Sequence, residues 1–135
     1  DGAFGIAVTE LTAIGREKWP AVTMIVFRNY QWGAEKRNST LWYEDNFIGT
    51  ELDDKVSYAG IAQACGLQGV QARTMDELTA ALHTAVEDQM KHGKTTLIEA
   101  MINQELGEPF RRDAMKAPVA VAGISADDMR VQTVE

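Results

Sequence analysis

Asp1 and Asn29 are side chains of a type that binds a small hard cation, and Gln31 lies two residues beyond the second of them. Mg²⁺ takes oxygen ligands in near-octahedral order, commonly one or two protein groups completed by phosphate and water oxygens. The Asp1 carboxylate, the Asn29 side-chain carbonyl and the main-chain carbonyl of Gln31 would supply three such oxygens. Gly2 has no side chain to hold a phosphate away from the backbone. The helix expected after Asp1-Gly2-Ala3 would add free N–H groups and the positive end of its dipole. Together these residues point to metal-assisted binding of a phosphate-bearing ligand. Taken alone, an Asp-Gly and a distant Asn also describe a turn and a strand end; the surrounding helix and strand favour the ligand site.

Other residues with chemical potential read more plainly. Arg111 and Arg112 could form a bidentate anion clamp assisted by Lys116, or a solvated basic patch paired with the chain's own carboxylates. Lys36 and Arg37 are a second cationic pair. Glu10, Glu35 and Glu51 read as solvated or structural carboxylates, and His83 and His92 as ordinary helix residues. Cys65 reads as a small, buried residue on a helix. Nothing in the chain reads as a catalytic acid, base or nucleophile.

The elements that must position these groups follow from periodicity. Ala7, Val8, Leu11 and Ile14 recur at helical spacing, and Trp19-Pro20 closes that segment. Residues 21–27 form a near-continuous apolar run suited to a strand buried on both faces of a parallel sheet. Residues 28–54 are polar and aromatic without a period, which predicts a long functional loop. Ser57 caps a helix carrying Tyr58, Ile61, Ala62 and Cys65, with Gly66 at its end. A short strand is expected around Val70. Thr74 and Glu77 form a capping box opening a helix that buries Met75, Leu78, Leu82, Ala85 and Val86 and stops at Gly93. Residues 95–102 read as a further strand.

Alternating helix and strand predict an α/β fold, a three-layer α/β/α arrangement with a mainly parallel sheet. Asp1 and Asn29 would both sit at the carboxyl ends of strands, where such folds bind ligands. One domain over residues 1–103 is expected. Residues 104–135, charged and proline-punctuated, read as a tail packing on a neighbouring domain or subunit. Trp32, Trp42 and Tyr43 are expected under the loop or at an interface.

Composition narrows the class of partner. With 13 basic against 20 acidic side chains the formal charge is −7, which argues against nucleic acid. The one cysteine allows no disulfide within the chain, consistent with a cytoplasmic setting. No apolar run is long enough for a membrane span, and no signal peptide opens the chain. A start at Asp1 without methionine reads as a piece of a longer polypeptide.

Asp-Gly, a helix, a strand and then Asn29, 28 positions after Asp1, resembles the cofactor motif of the thiamine diphosphate enzymes. That motif begins Gly-Asp-Gly and closes Asn-Asn. Its first Gly would precede Asp1, and Arg28 stands at the first Asn of the closing pair. The second Asn, the family's metal ligand, corresponds to Asn29. Two longer strings resemble the sulfoacetaldehyde acetyltransferases within that family. They are Phe27-Arg28-Asn29-Tyr30-Gln31-Trp32-Gly33-Ala34-Glu35-Lys36-Arg37-Asn38 and Asn103-Gln104-Glu105-Leu106-Gly107-Glu108-Pro109-Phe110-Arg111-Arg112-Asp113.

The resemblance implies the diphosphate-binding domain of a thiamine diphosphate enzyme, without its upstream part. Asp1, Gly2, Ala3, Asn29 and Gln31 would bind the cofactor, with Asp1, Asn29 and Gln31 on Mg²⁺. It implies a bacterial cytoplasmic enzyme of taurine and sulfonate breakdown that converts sulfoacetaldehyde and phosphate into acetyl phosphate and sulfite. A pyrimidine-binding domain would carry the cofactor-activating glutamate, in a homodimer or homotetramer, so this chain alone would be inactive. An acetolactate synthase-like or 2-oxo acid decarboxylase-like enzyme would share Asp1, Gly2 and Asn29. From a different class, a non-catalytic dimerising module would use the fold without the cofactor.

Overall fold

The computed structural model describes residues 1–16 and 19–104. The expected tail, with Arg111, Arg112 and Lys116, lies outside the described residues apart from Gln104. Along the chain run α1 (Gly2–Ile6), a 3-10 turn (Val8–Glu10), α2 (Leu11–Ile14), β1 (Thr23–Arg28) and α3 (Gly33–Trp42). They are followed by α4 (Tyr58–Ala64), β2 (Gln68–Ala72), α5 (Met75–His92) and β3 (Thr96–Met101). The strands are all parallel in the spatial order β1-β3-β2.

Central position explains the composition of β3, whose first five residues are all buried. Its two faces feed two cores, as expected of a strand covered on both sides. On one face Leu11, Val26, Tyr58, Ala62 and Leu97 pack together, joined by Phe4, Val8, Ile14 and Met24. On the other, Ile98 meets Ala72 and Ala85, flanked by Leu78, Ala81 and Leu82 of α5. These are the three layers the alternation of elements predicts.

Caps and close approaches fix the helices. The Ser57 hydroxyl accepts from the Gly60 N–H at 3.0 Å and starts α4. Thr74 caps α5 by accepting from the Glu77 N–H at 3.2 Å. The Glu77 carboxylate reaches the N–H of Arg73 rather than of Thr74, so the box closes one residue early. Gly93 ends α5 in the left-handed conformation, φ 61°. Gly69 lets β2 approach α4, because a Cβ there would lie 2.1 Å from the Ala59 carbonyl oxygen.

Three sequence expectations need correction. The first helical stretch breaks into α1, a 3-10 turn and α2, and Phe4 rather than Ala7 packs on the core. Residues 33–42 of the expected loop are helical, and α3 buries none of its side chains, so it left no apolar period to read. Met75 and Val86 of α5 are exposed, 74% and 50%, because a narrow stripe centred on Ala85 faces the sheet.

Candidate functional site

At the carboxyl end of β1 the chain turns sharply. Tyr30 takes a left-handed conformation, φ 59°, which costs a non-glycine residue about 1–2 kcal/mol. The turn folds Gln31 back beside Asn29. Gln31 is pinned there by a bridge to Glu51 and by its side-chain amide, which donates to the Gln104 carbonyl at 2.9 Å. The neighbouring Trp32 N–H donates to the Thr50 carbonyl at 2.8 Å, and Leu52 N–H to the Tyr30 carbonyl at 2.8 Å. Strain at a functional turn is held by surrounding structure of this kind.

The three expected metal ligands converge at this turn. One polar atom of the Asn29 amide lies 2.7 Å from Asp1 Oδ1 and 3.1 Å from the Gln31 carbonyl oxygen. With its nitrogen turned inward, Asn29 donates to both. A half-turn of the amide places its oxygen there instead, so that three oxygens face one another. Ligand oxygens on adjacent corners around Mg²⁺ lie about 2.9 Å apart, given Mg–O distances of about 2.0–2.1 Å. One carboxylate, one amide oxygen and one peptide carbonyl form a hard donor set, so these residues fit the cation. Among the described residues no cluster of three or more His, Cys, Asp and Glu offers a competing site.

The Asp1 carboxylate is oriented from both ends. Its Oδ1 accepts from Gly2 N–H at 3.1 Å, while Oδ2 accepts from Arg28 Nη1 at 2.8 Å and Tyr30 N–H at 3.1 Å. Arg28 is buried, and its two terminal nitrogens are hydrogen-bonded while Nε makes an ion pair only. Its Nη2 donates to the carbonyls of Asp53 at 2.7 Å and Val56 at 3.0 Å, and its Nε faces Glu99 Oε1 at 3.4 Å. The rings of Tyr30 and Tyr58 lie 4.5 and 4.9 Å from its guanidinium carbon, within cation–π range.

Glu99 is a residue that sequence reasoning missed. It is completely buried in the middle of β3, where strand register sets it between Val26 and Gln71. Its Oε2 accepts from Gln71 Nε2 at 3.0 Å, Ala59 N–H at 3.1 Å and the Ser57 hydroxyl at 3.1 Å. Burial is the largest influence and acts to raise its pKa. The bonds from Gln71, the N–H groups of Ala59 and Tyr58, and Ser57 outweigh it and hold Glu99 below the ordinary carboxylate value. A lone acid inside the run Thr96-Leu97-Ile98-Glu99-Ala100 was the available signal, since a buried charge must be paired.

Gly2 and Ala3, the residues expected to face a phosphate, open α1. Ala3 is exposed at α1, a single short helix whose first N–H is already capped by Asp1. A Cβ on Gly2 would meet the Trp32 indole at 2.8 Å, so in this structure the glycine accommodates a ring. Lys36 pairs with Glu51 and stacks 5.3 Å from the Phe47 ring, outside the Asp1–Asn29 cluster. His83 and His92 both lie on α5, away from the turn. Leu41, Trp42, Tyr43, Phe47 and Ile48 form an exposed apolar segment at and after the end of α3.

Comparison with known proteins adds four matches. Residues 1–100 match the model for the thiamine pyrophosphate enzyme, C-terminal TPP binding domain. The whole chain is 79% identical over 135 residues to a sulfoacetaldehyde acetyltransferase from Roseovarius nubinhibens, covering 22% of that protein. It is 80% identical over 132 residues, 98% of its length, to one from Rhodobacter capsulatus, again covering 22%. Among solved structures, benzoylformate decarboxylase from Polynucleobacter necessarius superimposes with a TM-score of 0.69 at 26% identity. That match covers 79% of this chain and 19% of the decarboxylase. The chain thus spans about a fifth of the length of the curated relatives it matches.

Proposed function

We propose a function from the premise that this chain belongs to the thiamine pyrophosphate enzymes, as their C-terminal TPP binding domain. The protein that carries it converts sulfoacetaldehyde and phosphate into acetyl phosphate and sulfite. Within it, this domain anchors the cofactor's diphosphate through Mg²⁺. The observation that carries the anchoring role is the convergence of Asp1 Oδ1, the Asn29 amide and the Gln31 carbonyl on one point. Support for the substrate comes from the two sulfoacetaldehyde acetyltransferases at 79% and 80% identity.

Asp1, Asn29 and Gln31 would hold the cation, and Gly2 and Ala3 would lie closest to the diphosphate. The bound cofactor supplies the carbon nucleophile and electron sink that the reaction needs. The chain's own residues position rather than react: Tyr30 aims Asn29 and Gln31, and Arg28 holds Asp1. The Arg111–Arg112 pair is the proposed grip for phosphate or sulfonate. The glutamate that activates the cofactor belongs to a pyrimidine-binding domain, so this chain by itself is inactive. The exposed segment from Leu41 to Ile48 suits a contact with another subunit. A homodimer or homotetramer in the bacterial cytoplasm, serving taurine breakdown, completes the proposal.

The test is product analysis on the full-length protein with thiamine diphosphate and Mg²⁺. Sulfite and acetyl phosphate appearing in equal amounts from sulfoacetaldehyde and phosphate are expected. Acetolactate from pyruvate, with no sulfite from sulfoacetaldehyde, would move the protein to another branch of the family.

A further inference from the structure

We infer that Arg28 is a positioning residue for the metal-ligating carboxylate: anchored by Glu99 on the central strand, it grips one oxygen of Asp1 and leaves the other aimed at the cation. The inference rests on the metal-site reading above and assigns a role to the position where the family's motif carries asparagine.

The geometry divides the Asp1 carboxylate in two. Oδ2 takes Arg28 Nη1 at 2.8 Å and the Tyr30 N–H at 3.1 Å, while Oδ1 faces the Asn29 amide at 2.7 Å. A carboxylate free to rotate would exchange these oxygens. Arg28 prevents this because its fork is fixed elsewhere, on the Asp53 and Val56 carbonyls and beside Glu99. Glu99 is in turn held by Gln71, Ser57 and the start of α4. The chain of contacts therefore runs from β3 through β1 to the metal-facing oxygen. Groups behind a ligand tune its aim and basicity in this way.

Charge alone predicts the opposite sign for one substitution. A guanidinium beside the site repels a cation, so a purely electrostatic Arg28 would weaken metal binding, and its neutral replacement would tighten it. Positioning predicts that removal weakens binding. Lysine separates the two further, because it keeps the charge and lacks the planar fork that bonds Asp1, Asp53 and Val56 and lies beside Glu99.

Calorimetric titration of Mg²⁺ into the full-length protein with thiamine diphosphate present tests this, using wild type, Asp1→Ala, Arg28→Lys, Arg28→Gln and Glu99→Gln. Arg28→Lys and Arg28→Gln are expected to bind Mg²⁺ about 10–100-fold more weakly, and Glu99→Gln to fall between them and wild type. The apparent KM for Mg²⁺ should rise by more than kcat falls. Wild-type affinity in Arg28→Lys, or tighter binding in Arg28→Gln, would overturn the inference. So would failure of both Arg28→Lys and the isosteric Glu99→Gln to fold in EDTA, since the network would then hold the fold rather than aim a ligand. A wild type that binds no Mg²⁺, or an Asp1→Ala variant that binds like wild type, would instead remove the metal-site reading itself.

Discussion

Arg28 and Glu99 lie on adjacent parallel strands, almost wholly withdrawn from water, with Arg28 Nε 3.4 Å from Glu99 Oε1. Arg28 also holds Asp1 at 2.8 Å, so two carboxylates share one guanidinium. Counting side chains alone, the cluster carries one negative charge in excess, offset in this chain by the Asp1 amino group, which donates to the Phe27 carbonyl at 2.9 Å. Uncompensated charge in a dry site is costly, and a divalent cation beside Asp1 Oδ1 would likewise offset it. The acidic side-chain balance of this cluster and the hard oxygen donors at the Tyr30 turn favour the same ligand.

Glu99 makes stability depend on pH in a defined direction. Its pKa in the fold lies below the ordinary value of 4.5, so the unfolded chain takes up the proton first as pH falls. The stabilisation is present above about pH 4.5 and is lost as pH drops through the lowered folded value. Thermal unfolding between about pH 6 and pH 3 should show this loss in wild type. Glu99→Gln should show a shallower acid slope; an unchanged slope would contradict the assignment.

Two glycines should respond to alanine for different reasons. Gly69→Ala would press a Cβ to 2.1 Å from the Ala59 carbonyl oxygen, which is backbone and cannot swing aside. A loss of about 3 kcal/mol or more is expected, at the upper end of overpacking effects. Gly93→Ala meets no atom within 4 Å but keeps φ at 61°, so only the left-handed penalty of about 1–2 kcal/mol applies. Denaturant unfolding of the two variants should rank them in that order, and equal losses would count against the close packing of β2 on α4.

The frame was legible because buried strands and caps leave local signatures. The runs ending at Phe27 and Ile102, Ser57 and Thr74 as caps, and Gly93 as a stop all read directly from residue type. Helix α3 did not, since it buries nothing and carries no apolar stripe. The proximity of Asp1, Asn29 and Gln31 was legible from residue chemistry and family spacing. Their supporting shell was not, because Glu99 is 71 positions from Arg28 and only parallel pairing through β3 brings them together. The left-handed turn at Tyr30 was equally hidden, as tyrosine carries no signal for positive φ.

The exposed apolar segment gives a prediction on assembly. Trp42 and Phe47 are 45% and 41% exposed, with Ile48 at 80% beside them. Such a patch on a free surface marks a contact. Trp42→Glu combined with Phe47→Glu in the full-length protein should shift its mass by light scattering toward a smaller species. An unchanged mass would place the subunit contact elsewhere.

The central claim is that Asp1, Asn29 and Gln31 anchor thiamine diphosphate through a divalent cation. Calorimetric titration of thiamine diphosphate into the full-length protein, with Mg²⁺ and then with EDTA, tests it most directly. Binding that requires Mg²⁺ and weakens at least about 100-fold in Asp1→Ala and Asn29→Ala is the predicted result, in line with loss of a direct ligand rather than of a supporting group. Binding of equal strength in EDTA, or in either variant, would contradict it.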